Sequence, residues 1–176
     1  MRTKDNEADS AEPPENKFYI VPGEVTMDRI RVLNAAPVLQ SGAGMMIARM
    51  AIDARAHGID ASVVSSGERA ALHDWPSILQ LLRIEQIPCY RIDLFSRDET
   101  KSQGSVERVR SLLNEKTFDL IHVHSGVPAA IVHAAMDAPD ILKPAVATFH
   151  GWGLDRPDWM NRADAAAFSR CERVIV

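Results

Sequence analysis

Three histidines stand at the ends of two apolar runs between residues 118 and 153, FDLIHVHSGVPAAIVHAAMDAPDILKPAVATFHGWG. His122 and His124 alternate along the first run, and His150 follows the second. An imidazole can donate or accept a hydrogen bond and can transfer a proton near neutral pH. If the two runs are neighbouring parallel strands, His124 and His150 meet at their carboxyl ends, where open α/β sheets bind ligands. The spacing therefore predicts a polar ligand site at this edge.

Metal binding and hydrolysis are the other chemistries that these residues suggest. Zinc needs a convergent third or fourth ligand in tetrahedral arrangement, and the HGWG turn supplies none, with Asp155 the nearest carboxylate. We therefore predict no metal, a buried His122 bonded to backbone, and a polar His124 at the sheet edge. Ser125 lies in HSGVP and not in the GxSxG turn of a nucleophile elbow, so the sequence does not support a hydrolase.

A glycine-containing segment, SGAG, follows the first predicted strand and carries Gly42 and Gly44. As a loop before a helix it could bring backbone N–H groups to an anion, or it could be a tight connection only. The dinucleotide fingerprint GxGxxG fails here, because Ile47 takes the third glycine position and Ser65-Ser66 stand where an acid is expected. Trp152, between two glycines, could stack on a sugar or pack on the next helix.

Strand-like and helix-like segments alternate from residue 27 to the end of the sequence, and we predict one doubly wound parallel sheet, a Rossmann-like α/β fold. Its expected strand order is 3-2-1-4-5-6, with helices on both faces. Residues 1–26 are polar and are predicted to be a disordered extension. The predicted strands are residues 29–36, 60–66, 89–94, 118–123, 145–149 and 173–176, and the predicted helices are 45–57, one from 76, one around 106–113, 128–137 and 158–170. The polar stretch SRDETKSQG is predicted to be a loop.

The composition is that of a globular protein with 20 basic and 24 acidic side chains. This mildly acidic balance argues against a nucleic-acid partner, which would favour a clustered basic face. No apolar run approaches the roughly 20 residues that span a bilayer. The polar N-terminus does not resemble a secretory signal. We expect a cytoplasmic protein.

Three separated segments resemble the N-terminal, acceptor-side domain of a family 4 glycosyltransferase, a family with the two-domain GT-B architecture. VLNAAPVLQSGAGMMIARMAIDARAHGIDASVVSS is similar to the opening strand, glycine loop, helix and second strand of the family. FDLIHVHSGVPAAIV is similar to its "PDVVHAH" strand, and KPAVATFHGWG to its "KPVVVTLHG" segment. CERVIV resembles the "ADRVIAVS" strand that follows. The resemblance covers residues 30–176.

The resemblance implies a retaining transferase of hexosyltransferase type, which moves a sugar from a nucleotide-sugar donor to an acceptor sugar, lipid or small molecule. No cofactor and no metal are implied, since the nucleotide sugar is a co-substrate. His124 matches the second histidine of the "HAH" strand, which faces the transferred sugar, and is the expected catalytic residue. The expected substrate contacts are Gly42, Gly44, His150, Gly151 and Trp152. The implied location is the cytoplasm or the inner membrane surface.

Two departures from the family pattern qualify this hypothesis. Ala43, Gly44 and Met45 follow Gly42 where the family often has a second glycine and a glutamate. The sequence also lacks the C-terminal domain with its Glu-x7-Glu motif. We therefore expect a truncated or split enzyme, inactive alone, whose donor domain is supplied in cis or by a separate chain. The alternative is a stand-alone sugar- or protein-binding module without transferase activity.

Overall fold

The computed structural model describes residues 29–67, 77–96, 99–137, 141–150 and 158–176. They form a six-stranded, wholly parallel sheet of order β3-β2-β1-β4-β5-β6, which confirms the predicted fold class and strand order. The strands are β1 Ile30–Ala36, β2 Ile59–Ser65, β3 Cys89–Arg91, β4 Leu120–His124, β5 Ala145–Thr148 and β6 Arg173–Ile175. The helices are α1 Ser41–Asp53, α2 Ile78–Ile84, α3 Glu99–Glu115, α4 Gly126–Met136 and α5 Asp158–Phe168.

Helices cover the sheet on both faces, because side chains alternate along each strand and both faces of the inner strands are apolar. On one face Leu33 and Ile121 pack with apolar side chains of α3, α4 and α5. On the other face Ala36 and Val63 pack with α1 and α2. Two apolar clusters therefore hold one sheet between two helical layers.

Local sequence signals explain where several helices begin and end. Gly58, in the left-handed region at φ 74°, ends the single 3₁₀ turn Ala54–His57 that extends α1. Glycine suits this position because it has no Cβ to clash with the preceding turn. The Ser77 hydroxyl accepts a hydrogen bond from the Gln80 N–H and so caps α2.

Two predicted loops are helical instead. The SGAG segment was expected to be a loop before a helix from Met45, but α1 already begins at Ser41. The ETKSQG segment, also predicted to be a loop, forms the start of α3. Its Glu, Lys and Gln residues favour helix, and the one interior glycine, Gly104, costs only about 1 kcal/mol relative to alanine.

Candidate functional site

The candidate site lies at the carboxyl ends of β1, β4 and β5, as the histidine spacing predicts. Asn34, His122 and His124 alternate with Leu33, Ile121 and Val123, whose side chains belong to the cluster under α3, α4 and α5. The polar set therefore faces the other side of the sheet, where α1 and α2 pack. Parallel pairing sets His124 beside Thr148, two residues before His150.

His124 is the most enclosed member of this set, with 1% of its surface exposed. The sequence predicted a polar histidine at the edge, and the structure instead buries this ring between two partners. Its Nε2 lies 3.3 Å from Oδ1 of Asn34, and its Nδ1 lies 3.2 Å from Nε2 of His150. His150 is exposed and is the outermost of the three imidazoles.

The hydrogen bonds of Asn34, His124 and His150 have one consistent direction. Asn34 Nδ2 donates to the backbone carbonyl of Ser62 at 3.3 Å, so its Oδ1 is the atom that faces His124. That oxygen can only accept, so His124 carries its proton on Nε2 and presents Nδ1 as an acceptor. His150 must then donate from Nε2. A carbonyl on β2 thus fixes the tautomer of an exposed histidine two residues beyond β5.

His122, His124 and His150 form a row of three imidazoles, and the contacts of His122 differ from those of the other two. Its Nε2 and the Thr148 hydroxyl lie 2.7 Å apart and share a hydrogen bond. The sequence predicted a buried His122 bonded to backbone, and the structure confirms the burial but gives the ring a side-chain partner. The His122 and His124 rings lie 4.1 Å apart between centroids and are tilted by 36°. The row is packed as a unit.

Burial keeps this row uncharged at neutral pH. Desolvation, with a smaller effect of His150, lowers the pKa of His122 from 6.5 to about 4. Desolvation and the neighbouring His122 and His150 lower the pKa of His124 to about 2. Burial also lowers the pKa of His150. Neutral imidazoles in a fixed tautomer can donate one hydrogen bond and accept another, and they need no counter-ion.

The turn after His124 is held in a strained conformation. Ser125 has φ 117° and ψ 161°, a region in which residues other than glycine are rare. Gly126 opens α4, and a Cβ added there would lie 2.1 Å from Cγ of the buried Asp164. The carboxylate of α5 therefore occupies the space where a side chain would stand. Such strain is found preferentially at ligand sites, which agrees with the position of the turn beside His124.

The two predicted glycine contacts have different surroundings in the first turn of α1. Gly44 is buried, and a Cβ there would lie 2.9 Å from the Leu39 backbone and 3.0 Å from Cδ1 of Ile78. Its lack of a side chain is thus explained by close packing. Gly42 is exposed and has open space around it, so a ligand could approach its backbone.

The structure describes only some of the remaining features that were predicted for the site. Gly151 and Trp152 lie outside the described residues. Within the described ranges, no group of three His, Cys, Asp or Glu side chains is arranged to hold a metal ion. Asn34 and Thr148 were missed by the sequence analysis, although Asn34 stands out as a polar residue inside the apolar run RIRVLNAA.

Comparison with known proteins identifies the class and then the family. The parallel sheet with its polar carboxyl edge is the Rossmann-like half of a GT-B architecture. The model of Glycosyltransferase Family 4 matches residues 40–176, and the chain therefore belongs to this family. No curated protein matches the sequence.

Solved structures agree on the fold at low sequence identity. A glycosyltransferase from Rickettsia africae is 16% identical at a TM-score of 0.63, over 85% of this chain and 37% of that one. Sucrose-phosphate synthase from Thermosynechococcus elongatus is 11% identical at 0.60, over 84% and 42%. A UDP-N-acetylglucosamine 2-epimerase is 13% identical at 0.58, over 83% and 41%. The chain thus spans about two-fifths of each of these structures.

Proposed function

We propose that this chain is the acceptor-side half of a retaining glycosyltransferase of hexosyltransferase type. It works with a donor domain that binds a nucleotide sugar, supplied in cis or in trans, and is inactive without it. The acceptor is a sugar, a lipid or a small molecule, and the reaction uses neither metal nor cofactor. The family match supports the reaction class.

The ordered chain Ser62–Asn34–His124–His150 is the observation that carries the proposed mechanism. In this mechanism His150 is the ring that contacts a hydroxyl group of the sugar. Its Nε2–H donates to His124, so Nδ1 is left to accept a hydrogen bond from that hydroxyl. His124 acts in the site through His150, because its own ring is 1% exposed. A ring held in one tautomer needs no reorganisation when charge develops in the transition state.

Gly42, Gly44, Gly151 and Trp152 complete the proposed substrate site. The first turn of α1 begins directly after Gln40, whose side chain makes no capping hydrogen bond. The N–H group of Gly42 can therefore line the cleft near the donor phosphates, whereas the Gly44 N–H donates to the Gln40 carbonyl at 3.0 Å and Gly44 serves the site by allowing close packing of this turn. Gly151 follows His150, and Trp152 provides an aromatic face for a sugar ring.

The decisive assay uses the two-domain protein, after the DNA downstream of the last codon has been read for a frame with Glu-x7-Glu. Sugar transfer from a panel of nucleotide sugars should be detectable, and His150→Ala should lower turnover by about 10²- to 10³-fold. His124→Ala and Asn34→Ala, which disturb the ring behind it, should lower turnover by about 10- to 100-fold. Unchanged turnover in both the His150 and His124 variants would contradict the proposed site.

The tautomers can be measured on the isolated chain without any enzyme assay. Ring ¹⁵N chemical shifts of the wild type should show a proton on Nε2 and none on Nδ1 of His124. Asn34→Leu should mix the two tautomers, because Nε2 loses the acceptor that it faces in the described part of the chain. Thr148→Val is the matched control, since it removes the partner of His122 alone. A wild-type His124 that is protonated on Nδ1 would rule out the proposed direction.

A second candidate is a binding module that recognises a sugar or a protein without transfer. The burial of His124 favours it, because a ring that is 1% exposed does not itself contact a sugar that is being transferred. The two proposals differ in one result. Sugar binding by the isolated chain, combined with no downstream or separate donor domain, supports the binding module.

No helix among the described residues is both long and apolar enough to cross a bilayer. We propose that the protein works in the cytoplasm or at the inner membrane surface. Fractionation of the native host should place it in the soluble or peripheral membrane fraction, and recovery only after detergent extraction would contradict this location.

A further inference from the structure

A cavity opens at the same edge of the sheet, nearer to β3 than the histidines are. It has a volume of about 540 Å³ and lies at the carboxyl ends of β2 and β3. Its walls include Ser66 and Gly67 after β2, Arg91 at the end of β3, and Arg108 of α3. A cavity of this size is within the range that holds small-molecule ligands.

Two guanidinium groups line this cavity without a carboxylate partner among the described residues. Arg91 is exposed, and its Nε lies 3.6 Å from where a Cβ on Gly67 would be. Arg108 donates from Nη2 to the Arg91 carbonyl at 2.6 Å, which holds its side chain over the end of β3. Neither arginine forms an ion pair with a residue of the described ranges, so both retain donors for an anion. Planar guanidinium groups are well suited to phosphate and carboxylate.

One carboxylate oxygen of Asp93, the acidic member of the cavity wall, accepts hydrogen bonds from donors of the chain. Oδ1 of Asp93 accepts from the Ser66 hydroxyl at 3.0 Å, from Phe95 N–H at 3.0 Å and from Ser96 N–H at 3.3 Å. These bonds shape the turn that carries Phe95, whose side chain is 45% exposed. The wall thus combines two arginines with one accessible aromatic ring, and aromatic rings pack well on the C–H faces of sugars.

We propose that Arg91 and Arg108 anchor the phosphate or carboxylate of an anionic acceptor, and that Phe95 packs on its apolar part. This assignment rests on the proposed glycosyltransferase function and names the acceptor class for it. The geometry also sets the reach of the acceptor. β3, which carries Arg91, and β5, which precedes His150, are four strand positions apart, so the two sites are separated by about 19 Å along the edge. An acceptor that is held by its anion at the arginines and reacts beside His150 is therefore longer than a monosaccharide.

The test uses the 176-residue chain and needs no donor domain. Backbone amide shifts of Gly67 and Phe95 are followed by NMR during titration with glucose-6-phosphate, glucuronate, inorganic phosphate and uncharged glucose. Charged probes should shift both signals, and glucose should shift neither. Arg91→Gln and Arg108→Gln should each weaken glucose-6-phosphate binding by about tenfold, the loss expected for one charge-assisted contact. Arg83→Gln is the matched control, because Arg83 is an exposed arginine in the last turn of α2 and does not line the cavity.

The arms of the experiment separate the possible sources of the anion. Binding to vesicles with anionic phospholipid, weakened by the same two variants, would identify the acceptor as a lipid phosphate. Equal affinity for glucose and glucose-6-phosphate, or binding unaffected in both arginine variants, would overturn the proposal. Arg91→Gln leaves the Arg108 side-chain bond to the backbone intact, so a folding defect in one variant does not leave the question open.

The outcome is distinguishable from failure of the proposed function. If the anion binds as described but the two-domain protein transfers no sugar, the arginine site stands and the transferase assignment fails. If transfer occurs and its KM for a charged acceptor is unchanged by either arginine variant, the transferase assignment stands and this site fails.

Discussion

The two edges of the sheet treat their polar residues in opposite ways. At the amino edge charges are paired within the chain: Arg31 bonds Asp119, and Arg29 lies 3.0 Å from Asp60. At the carboxyl edge the histidines are neutral, and the cavity arginines lack a carboxylate partner in the described part of the chain. The polar groups that can bind a ligand thus lie at the carboxyl edge, which is the edge where parallel sheets bind ligands. The amino edge pairs its exposed charges within the chain, and the carboxyl edge buries neutral polar groups beside groups that can bind a ligand.

The largest expected effect is a fall in the free energy of unfolding at low pH, which the buried histidines cause. The folded state keeps His122 and His124 neutral down to pKa values of about 4 and about 2, whereas the unfolded chain binds protons near 6.5. Their contribution to stability is therefore full above pH 6.5 and is lost as the pH falls towards the folded pKa values. Between about pH 7 and about pH 5 the free energy of unfolding should drop by about 3 to 4 kcal/mol.

Urea unfolding at a series of pH values measures this drop directly. His57→Gln is the control, since His57 is exposed and lies at the amino edge. The free energy of unfolding of this variant should fall over the same pH range by as much as that of the wild type. Stability that stays constant between about pH 7 and about pH 5 would show that the histidine row is charged or open to solvent.

The second prediction concerns the turn that follows His124. Gly126→Ala places a Cβ 2.1 Å from the Asp164 carboxylate, which is 3% exposed and has no room to swing into solvent. We expect a loss of about 3 kcal/mol, the upper part of the range for overpacking. Gly104→Ala is the matched control on α3, because a Cβ there meets nothing within 4 Å. It should raise stability by about 1 kcal/mol. Equal effects of the two substitutions on the melting temperature would contradict the packing of Asp164 against Gly126.

The contrast between the edges also explains what the sequence could predict. The apolar strand runs and the amphipathic helix patterns between them were sufficient to predict the fold class and the strand order. His124 and His150 could be placed at one edge because strand ends are readable from apolar runs. The sequence could not show that His124 is buried and His150 is exposed, since burial depends on neighbours that meet only in the folded chain. Asn34 is 90 residues from His124, and no local pattern connects them.

Helix boundaries were the other point beyond the reach of local signals. The SGAG segment was predicted to be a loop because glycine disfavours helix. Tertiary packing decides otherwise, since Gly44 lies against Leu39 and Ile78, where only a residue without a side chain fits. The same residue type thus has a packing role at Gly44 and a turn-ending role at Gly58, and sequence alone does not separate them.

The third prediction tests a single hydrogen bond in the histidine row. Thr148→Val keeps the shape of the side chain but leaves His122 Nε2, now 2.7 Å from the hydroxyl, without its partner. The free energy of unfolding should fall by about 1 to 2 kcal/mol, because an enclosed polar atom loses its bond. Thr148→Ser is the control, which keeps the hydroxyl and should recover much of the loss. A Val variant as stable as the wild type would mean that water or another group serves His122 equally well.

The smallest effect is expected for the pair at the amino edge, even though its geometry is nearly ideal. Asp119 accepts from the Arg31 backbone N–H at 2.8 Å and from its guanidinium at 3.0 and 2.9 Å. The guanidinium and backbone hydrogen bonds of Arg31 lower the pKa of Asp119 from 3.8 to about 2. Both side chains are more than 40% exposed, however, and water already solvates charges in such a position well.

Asp119→Asn should therefore lower the melting temperature by less than Thr148→Val does. The lowering should be the same at about pH 7 and about pH 5, because the carboxylate contributes fully above 3.8 and loses its contribution only as the pH falls towards 2. It should also shrink in about 1 M salt, where exposed charges are screened within about 3 Å. Asp60→Asn, which breaks the pair with Arg29, is the matched control and should behave alike. A salt-independent loss larger than that of Thr148→Val would mean that the amino edge, like the carboxyl edge, holds desolvated polar groups, and the contrast between the two edges would no longer hold.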